Sequence, residues 1–200
     1  LKKIAFGLLT TLSVFTYSCS DNASNKHTTE QTPAAREETT EVKVVKASFT
    51  NVDANVAIYV KKLTDHYLQL KNSLIAGKAI EAGDAAQHLS EAIKGFDKSL
   101  LTADQKKVYD QYEAGLKENA EHIAQGASDI EHQRERFANM SEGMYAIVKA
   151  FGGGKTLYHD HCPMAKNGKG AMWLSETKEI KNPYFGEKMM ECGEVEEKIQ

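Results

Sequence analysis

Proline, cysteine and tryptophan are scarce in this chain of 200 residues, at three, three and one respectively. Three cysteines, Cys19, Cys162 and Cys192, are too few for a disulfide-built scaffold, and the odd number leaves at least one with a separate task. A basic excess is also missing. Lys and Arg number 25 against 28 acidic residues, the formal net charge is −3 and the isoelectric point is about 6.2, which argues against nucleic acid as a partner. The apolar run Ile4–Phe15 is shorter than the ~20 residues a bilayer-spanning helix needs. There is no C-x-x-C-H haem motif, no Ser-His-Asp spacing and no paired catalytic carboxylate, so the chain is not read as an enzyme. Gly154-Lys155-Thr156 imitates the end of a phosphate-binding loop. The glycine required five positions earlier is Lys149, and the segment before it reads as helix rather than strand.

What is present begins with an address. Lys2 and Lys3, the greasy run and then small and polar residues up to Cys19 form a secretory signal over residues 1–19. A cysteine directly after the apolar core resembles a bacterial lipoprotein signal, which implies lipidation of Cys19, a periplasmic location and a membrane contact through the lipid anchor only. Residues 20–50 are rich in Ser, Thr, Glu and Asn and lack spaced apolar residues, so they are expected to be a disordered tether.

Residues 51–151 contain no proline and repeat their apolar residues at three and four. Val56, Tyr59, Val60, Leu63, Tyr67, Leu70 and Leu74 mark a first helix, closed at Gly77. Ala82, Ala85, Ala86, Leu89, Ile93 and Phe96 mark a second. Thr102 and Gln105 form a capping box for a third, which carries Tyr109, Tyr112, Leu116, Ala120 and Ile123. Ser128 or Asp129 caps a fourth, with Phe137, Met140, Met144, Ile147, Val148 and Phe151 inward. The expected fold is all-α: an up-down antiparallel four-helix bundle followed by an irregular Cys/Met/His-rich tail over 152–200, packed on the bundle. All four stripes precede Gly152, so the bundle is expected to stand without the tail. No helix carries the Glu-x-x-His spacing of di-iron bundles, and the bundle reads as scaffold.

The tail concentrates soft ligands. His159, His161, Cys162 and Met164 fall within six residues, and Met189, Met190 and Cys192 within four. Thiolate and thioether sulfur suit Cu(I), and Ag(I) by the same softness, with imidazole as an accepted partner; a methionine beside each cysteine makes zinc the weaker candidate. The competing expectation is a structural Cys162–Cys192 disulfide in an interaction module without metal, closing a loop of about thirty residues for ~3 kcal/mol. Composition leaves the two open.

The tail "HCPMAKNGKGAMWLSETKEIKNPYFGEKMMECGEV" resembles a domain of unknown function in Gram-negative envelope proteins. That domain occurs in small lipoproteins and at the C-terminal end of copper/silver efflux adaptor proteins. The resemblance implies an envelope location, heavy-metal handling and a copper/silver efflux adaptor as partner. Cys162, Met164, Met189 and Cys192 fall on its shared pattern, His161 on that of many members, and His159 and Met190 on more variable positions.

Overall fold

Between Asn51 and Phe151 the apolar stripes become four helices in the computed structural model, which describes residues 42–126 and 128–200. The signal segment with Cys19 and residues 20–41 of the expected tether lie outside the described residues. The helices are α1 (Ala54–Ile75), α2 (Ala79–Lys94), α3 (Ala103–Gln125) and α4 (Ile130–Phe151). Their ends follow local chemistry. The Asp53 carboxylate accepts the Asn55 amide at 2.8 Å, Thr102 and Gln105 exchange both bonds of the capping box, and Asp129 accepts the amide of His132 at 3.1 Å. Gly77, at φ +71°, takes the left-handed turn after α1 at no steric cost.

Each helix packs on its neighbour in the chain and α1 packs on α4, so the links close an antiparallel ring. Its interior holds Leu63, Tyr67, Leu70, Leu74, Leu89, Ile93, Leu116, Ile123, Phe137 and Met140, all essentially without solvent contact. Each such side chain contributes ~1.5–3 kcal/mol by leaving water. Among the described residues no helix is long and apolar enough to cross a membrane.

The all-α expectation fails beyond Phe151. The tail is not irregular: it supplies strands β2 (Leu157–Cys162), β3 (Ala171–Ser175) and β4 (Glu194–Ile199), and β1 (Lys43–Val45) comes from the end of the expected tether. The four form one mixed sheet in the order β1-β4-β2-β3, with β1 parallel to β4 and β2 antiparallel to both β3 and β4. The fold is therefore mixed α/β. Its strands escape a reading by periodicity because β4, Glu-Val-Glu-Glu-Lys-Ile, shows no apolar alternation, and β1 is three residues long and pairs with the far end of the chain.

The sheet also shares the core of the bundle. Leu157, Trp173, Leu174 and Ile199 join the same apolar cluster as the helices, and β3 packs on α4. The buried Tyr67 hydroxyl lies 2.8 Å from Ser141 Oγ and accepts the Leu174 amide at 3.1 Å, tying α1, α4 and β3 together. Arg134 on α4 donates to the carbonyls of Pro183 at 3.0 Å and Leu74 at 3.1 Å, bracing the loop after β3 against α1. The entering chain docks as well: the amides of Ser48 and Phe49 bond the carbonyls of Lys149 and Ala150 at the end of α4. The tail is thus a structural layer packed on the bundle, as expected of its position, and it shares the bundle's core.

Candidate functional site

Antiparallel pairing of β2 with β4 brings the two soft-ligand clusters to one end of the sheet. Cys162 closes β2, and Cys192 sits in the turn that opens β4. Their sulfurs are 2.7 Å apart and unbonded, with Cys162 buried and Cys192 half-buried. Asn182, fully buried, holds the Cys192 turn. Its amide nitrogen donates to the Cys192 carbonyl at 2.6 Å, its side-chain oxygen accepts from the Tyr184 amide at 2.8 Å, and its backbone amide donates to the Met190 carbonyl at 2.8 Å. Gly193 is required by close packing: a Cβ there would meet the Trp173 ring at 2.8 Å and the His161 carbonyl at 3.0 Å. The neighbouring Cys162 thiol and burial push the Cys192 thiol above the ordinary range, against a hydrogen bond from the Met164 backbone amide.

The methionines divide by role. Met140 and Met144 on α4 are core, as their stripe predicts. Met164, after β2, and Met189, before Cys192, are exposed at 54% and 40%, and Met190 is half-buried. Their thioethers therefore stand free of the apolar cluster, in the turns that carry the two cysteines.

His159 and His161 belong to a different arrangement. They alternate with Asp160 and Cys162 along β2, which directs neighbouring side chains to opposite faces of the sheet. Among the described residues, the His, Cys, Asp and Glu groups whose ligand atoms converge are His161, Glu194 and Glu196, all within 4.8 Å of one another. His159 Nδ1 is 3.1 Å from Glu196 Oε2, and its ring stacks on Tyr145 with centroids 4.3 Å apart. Burial holds the His159 imidazole below its ordinary value, against the pull of the Glu196 and Glu197 carboxylates. Of the seven residues singled out in the tail, the structure unites Cys162 with Cys192 and places His159 and His161 with carboxylates. Glu194 and Glu196 are the residues that sequence reasoning missed. The signal was two pairs at a spacing of two, His159-x-His161 and Glu194-x-Glu196, which share a face only if both segments are strands.

No curated protein and no solved structure matches the chain. A family match covers the second part of α1 through α4 and stops before β2, so both cysteines and both tail histidines lie beyond it. Over residues 63–156 the chain is similar to a family described as "Protein of unknown function (DUF3347)".

Proposed function

We propose that the protein binds a soft monovalent metal ion, Cu(I) or Ag(I), through the Cys162 and Cys192 thiolates, with Met164 and Met189 as thioether ligands. The observation that carries this reading is the exposure of both methionines. A methionine kept for packing belongs in the core, like Met140 and Met144; these two are exposed, in the turns that carry Cys162 and Cys192. Sulfur donors of both kinds favour Cu(I), and zinc binds such a set more weakly. Metal–sulfur bonds of ~2.3 Å hold two thiolates well over 3 Å apart, so the pair must open by ~1 Å. The opening falls to the Cys192 side chain, the less buried of the two, while Asn182 keeps its turn in place. The role is carriage rather than catalysis, on a chain tethered to the periplasmic face of an envelope membrane by lipid at Cys19. The resemblance of the tail to efflux-adaptor termini makes a copper/silver efflux adaptor the proposed partner.

The sulfur separation supports a second state. A disulfide bond is about 2.05 Å long, so a small movement closes Cys162 to Cys192. Closure releases two protons and two electrons to an external disulfide oxidant, and it removes both thiolates from the metal. The closed pair is a structural staple worth ~3–4 kcal/mol for its loop, as in an interaction module that carries no metal.

Anaerobic Cu(I) titration of the reduced protein, with thiols counted before and after, tests the reading. One ion bound, lost in Cys162→Ser and Cys192→Ser, and sulfur scatterers in X-ray absorption are expected. Nitrogen and oxygen scatterers alone, or a protein purified without free thiols that resists mild reduction, would sink it.

A further inference from the structure

We propose that His159, His161, Glu194 and Glu196 form a second metal site, for Zn(II) or a similar divalent ion, on strands β2 and β4 and apart from the sulfur pair. It uses none of the four sulfur ligands proposed for copper, so the two readings fail independently.

A β-bulge builds the site. In the β2–β4 register His161 faces Glu194, Asp160 faces Val195 and His159 faces Glu197, which leaves Glu196 as the extra residue of β4. A bulge re-aims the side chain it inserts. Here it places Glu196 between the two imidazoles: Oε2 lies 3.1 Å from His159 Nδ1 and Oε1 lies 3.6 Å from His161 Nδ1. Glu194 completes the group, with the His161, Glu194 and Glu196 ligand atoms within 4.8 Å of one another.

The state of His159 points independently to a ligand. The residue is nine-tenths buried, yet its Nδ1 makes no hydrogen bond, although a carboxylate oxygen stands 3.1 Å away. A buried polar atom is normally paired. A cation between the ring nitrogen and the carboxylate would satisfy both. The ring is also fixed in place, stacked on Tyr145, whose hydroxyl donates to Glu197 at 2.7 Å. The nearby lysines do not compete for the site: Lys43 at 2.7 Å and Lys149 at 3.5 Å pair with Glu197.

The donor set selects the ion. Two imidazoles and two carboxylates suit Zn(II) and other borderline divalent ions, and lack the sulfur that Cu(I) prefers. Ligand bonds of ~2.0–2.2 Å require donor atoms roughly 3.3–3.6 Å apart around a tetrahedral ion. The two separations from Glu196 to the histidines, 3.1 and 3.6 Å, already approach that spacing. His161, Glu194 and Glu196 already converge within 4.8 Å, and His159, which touches the group through Glu196, must draw in to join them.

The test uses the full chain, stripped with a chelator and made sulfur-blind by Cys162→Ser with Cys192→Ser. The oxidised wild-type chain serves as a second sulfur-blind background should the serines disturb folding. Isothermal titration with Zn(II) should show one site in either background. His161→Ala and Glu196→Gln should each weaken it at least ~10-fold, as ligand loss does, while Cu(I) uptake by the reduced chain carrying Glu196→Gln stays unchanged. Both residues keep substantial exposure, 31% and 42% of their side chains, so each variant should fold, which a circular dichroism melt checks. Co(II) should give the visible bands of a four-coordinate nitrogen–oxygen site. Absence of Zn(II) uptake in both sulfur-blind backgrounds, or uptake unchanged in both folded variants, would overturn the proposal.

Discussion

Asp160 should make the protein less stable as the pH rises through neutrality, and Asp160→Asn should remove that dependence. The carboxylate is fully buried on β2 and neither oxygen has a hydrogen-bond partner. Burial pushes its pKa up to about 7, with Lys71 pulling it down and Glu176 pushing it further up. Lys71 is already paired with Glu176 at 2.6 Å, which spends much of its field. An unfolded aspartate titrates near ~3.9. Between those values the folded state holds a proton that the unfolded state has lost, so stability falls as pH rises and the loss is complete above pH ~7. At 1.36 kcal/mol per unit, the part falling between pH 5 and 8.5 is about 3 kcal/mol, or roughly 6–12 °C in melting temperature for a chain of this size. The asparagine keeps an unpaired buried amide, a cost of ~1–3 kcal/mol that does not change with pH. His159, held below its ordinary pKa, has the opposite sign: unfolded histidine binds a proton below pH ~6.5 that the folded one refuses. The diagnostic quantity is therefore the difference between wild type and variant. Urea unfolding followed by circular dichroism at pH 5, 6, 7 and 8.5, with chelator present, should show the variant gaining about 3 kcal/mol on wild type across the range. Parallel curves within ~0.5 kcal/mol would refute the buried-carboxylate argument.

The helical half of the molecule was legible because its signals are local. A repeat of 3.6 residues and a cap such as Thr102 with Gln105 need only neighbours in the chain, and they mark α1 to α4 with their buried faces. The sheet was hidden because its strands are defined by partners far away. β1 pairs with β4 across most of the chain, and the face of β4 that meets β2 carries Glu194 and Glu196 where a half-buried strand would show apolar residues. A polar face looks like a loop to any reading based on hydrophobic period. The same gap split the candidate site. Cys162 and Cys192 could be joined by chemistry alone, since both are cysteines with a neighbouring methionine. His161 could be parted from Cys162, and Glu194 and Glu196 added to it, only by knowing that β2 and β4 are paired strands. The layer that carries both proposed sites is thus the part where tertiary pairing, rather than local propensity, decides the structure.

Other changes probe the remaining joints. Met164→Leu and Met189→Leu keep apolar bulk on exposed side chains, so stability should move by less than ~1.5 kcal/mol while Cu(I) affinity drops about tenfold; unchanged affinity would remove the thioethers from the site. Arg134→Lys cannot reach the Pro183 and Leu74 carbonyls together, and should cost ~2–3 kcal/mol in urea unfolding, where a loss below ~0.5 would show that the brace is dispensable. Burial alone would raise the Glu197 carboxyl, but hydrogen bonds from Lys43 and Tyr145 and the charge of Lys149 outweigh it and hold the pKa at about 2. Its stabilising effect is present above pH ~4.5 and lost as pH falls toward 2, so Glu197→Gln should flatten the acid limb of the stability curve. A curve that keeps its acid slope would assign that slope to other carboxylates. The most consequential change is removal of the sheet, leaving residues 51–151. The excised part takes Leu157, Trp173 and Leu174 out of the shared core and strips the Leu174 amide from the Tyr67 hydroxyl. Three large apolar side chains at ~1.5–3 kcal/mol each amount to roughly 5–9 kcal/mol, comparable to the whole stability of an ordinary domain. The shortened chain should keep part of its helical circular dichroism, because the stripes and caps are local, but it should bind a hydrophobic dye and melt without a sharp transition. A cooperative melt near that of the full chain would mean that the four helices close their own core and the sheet is only laid upon it.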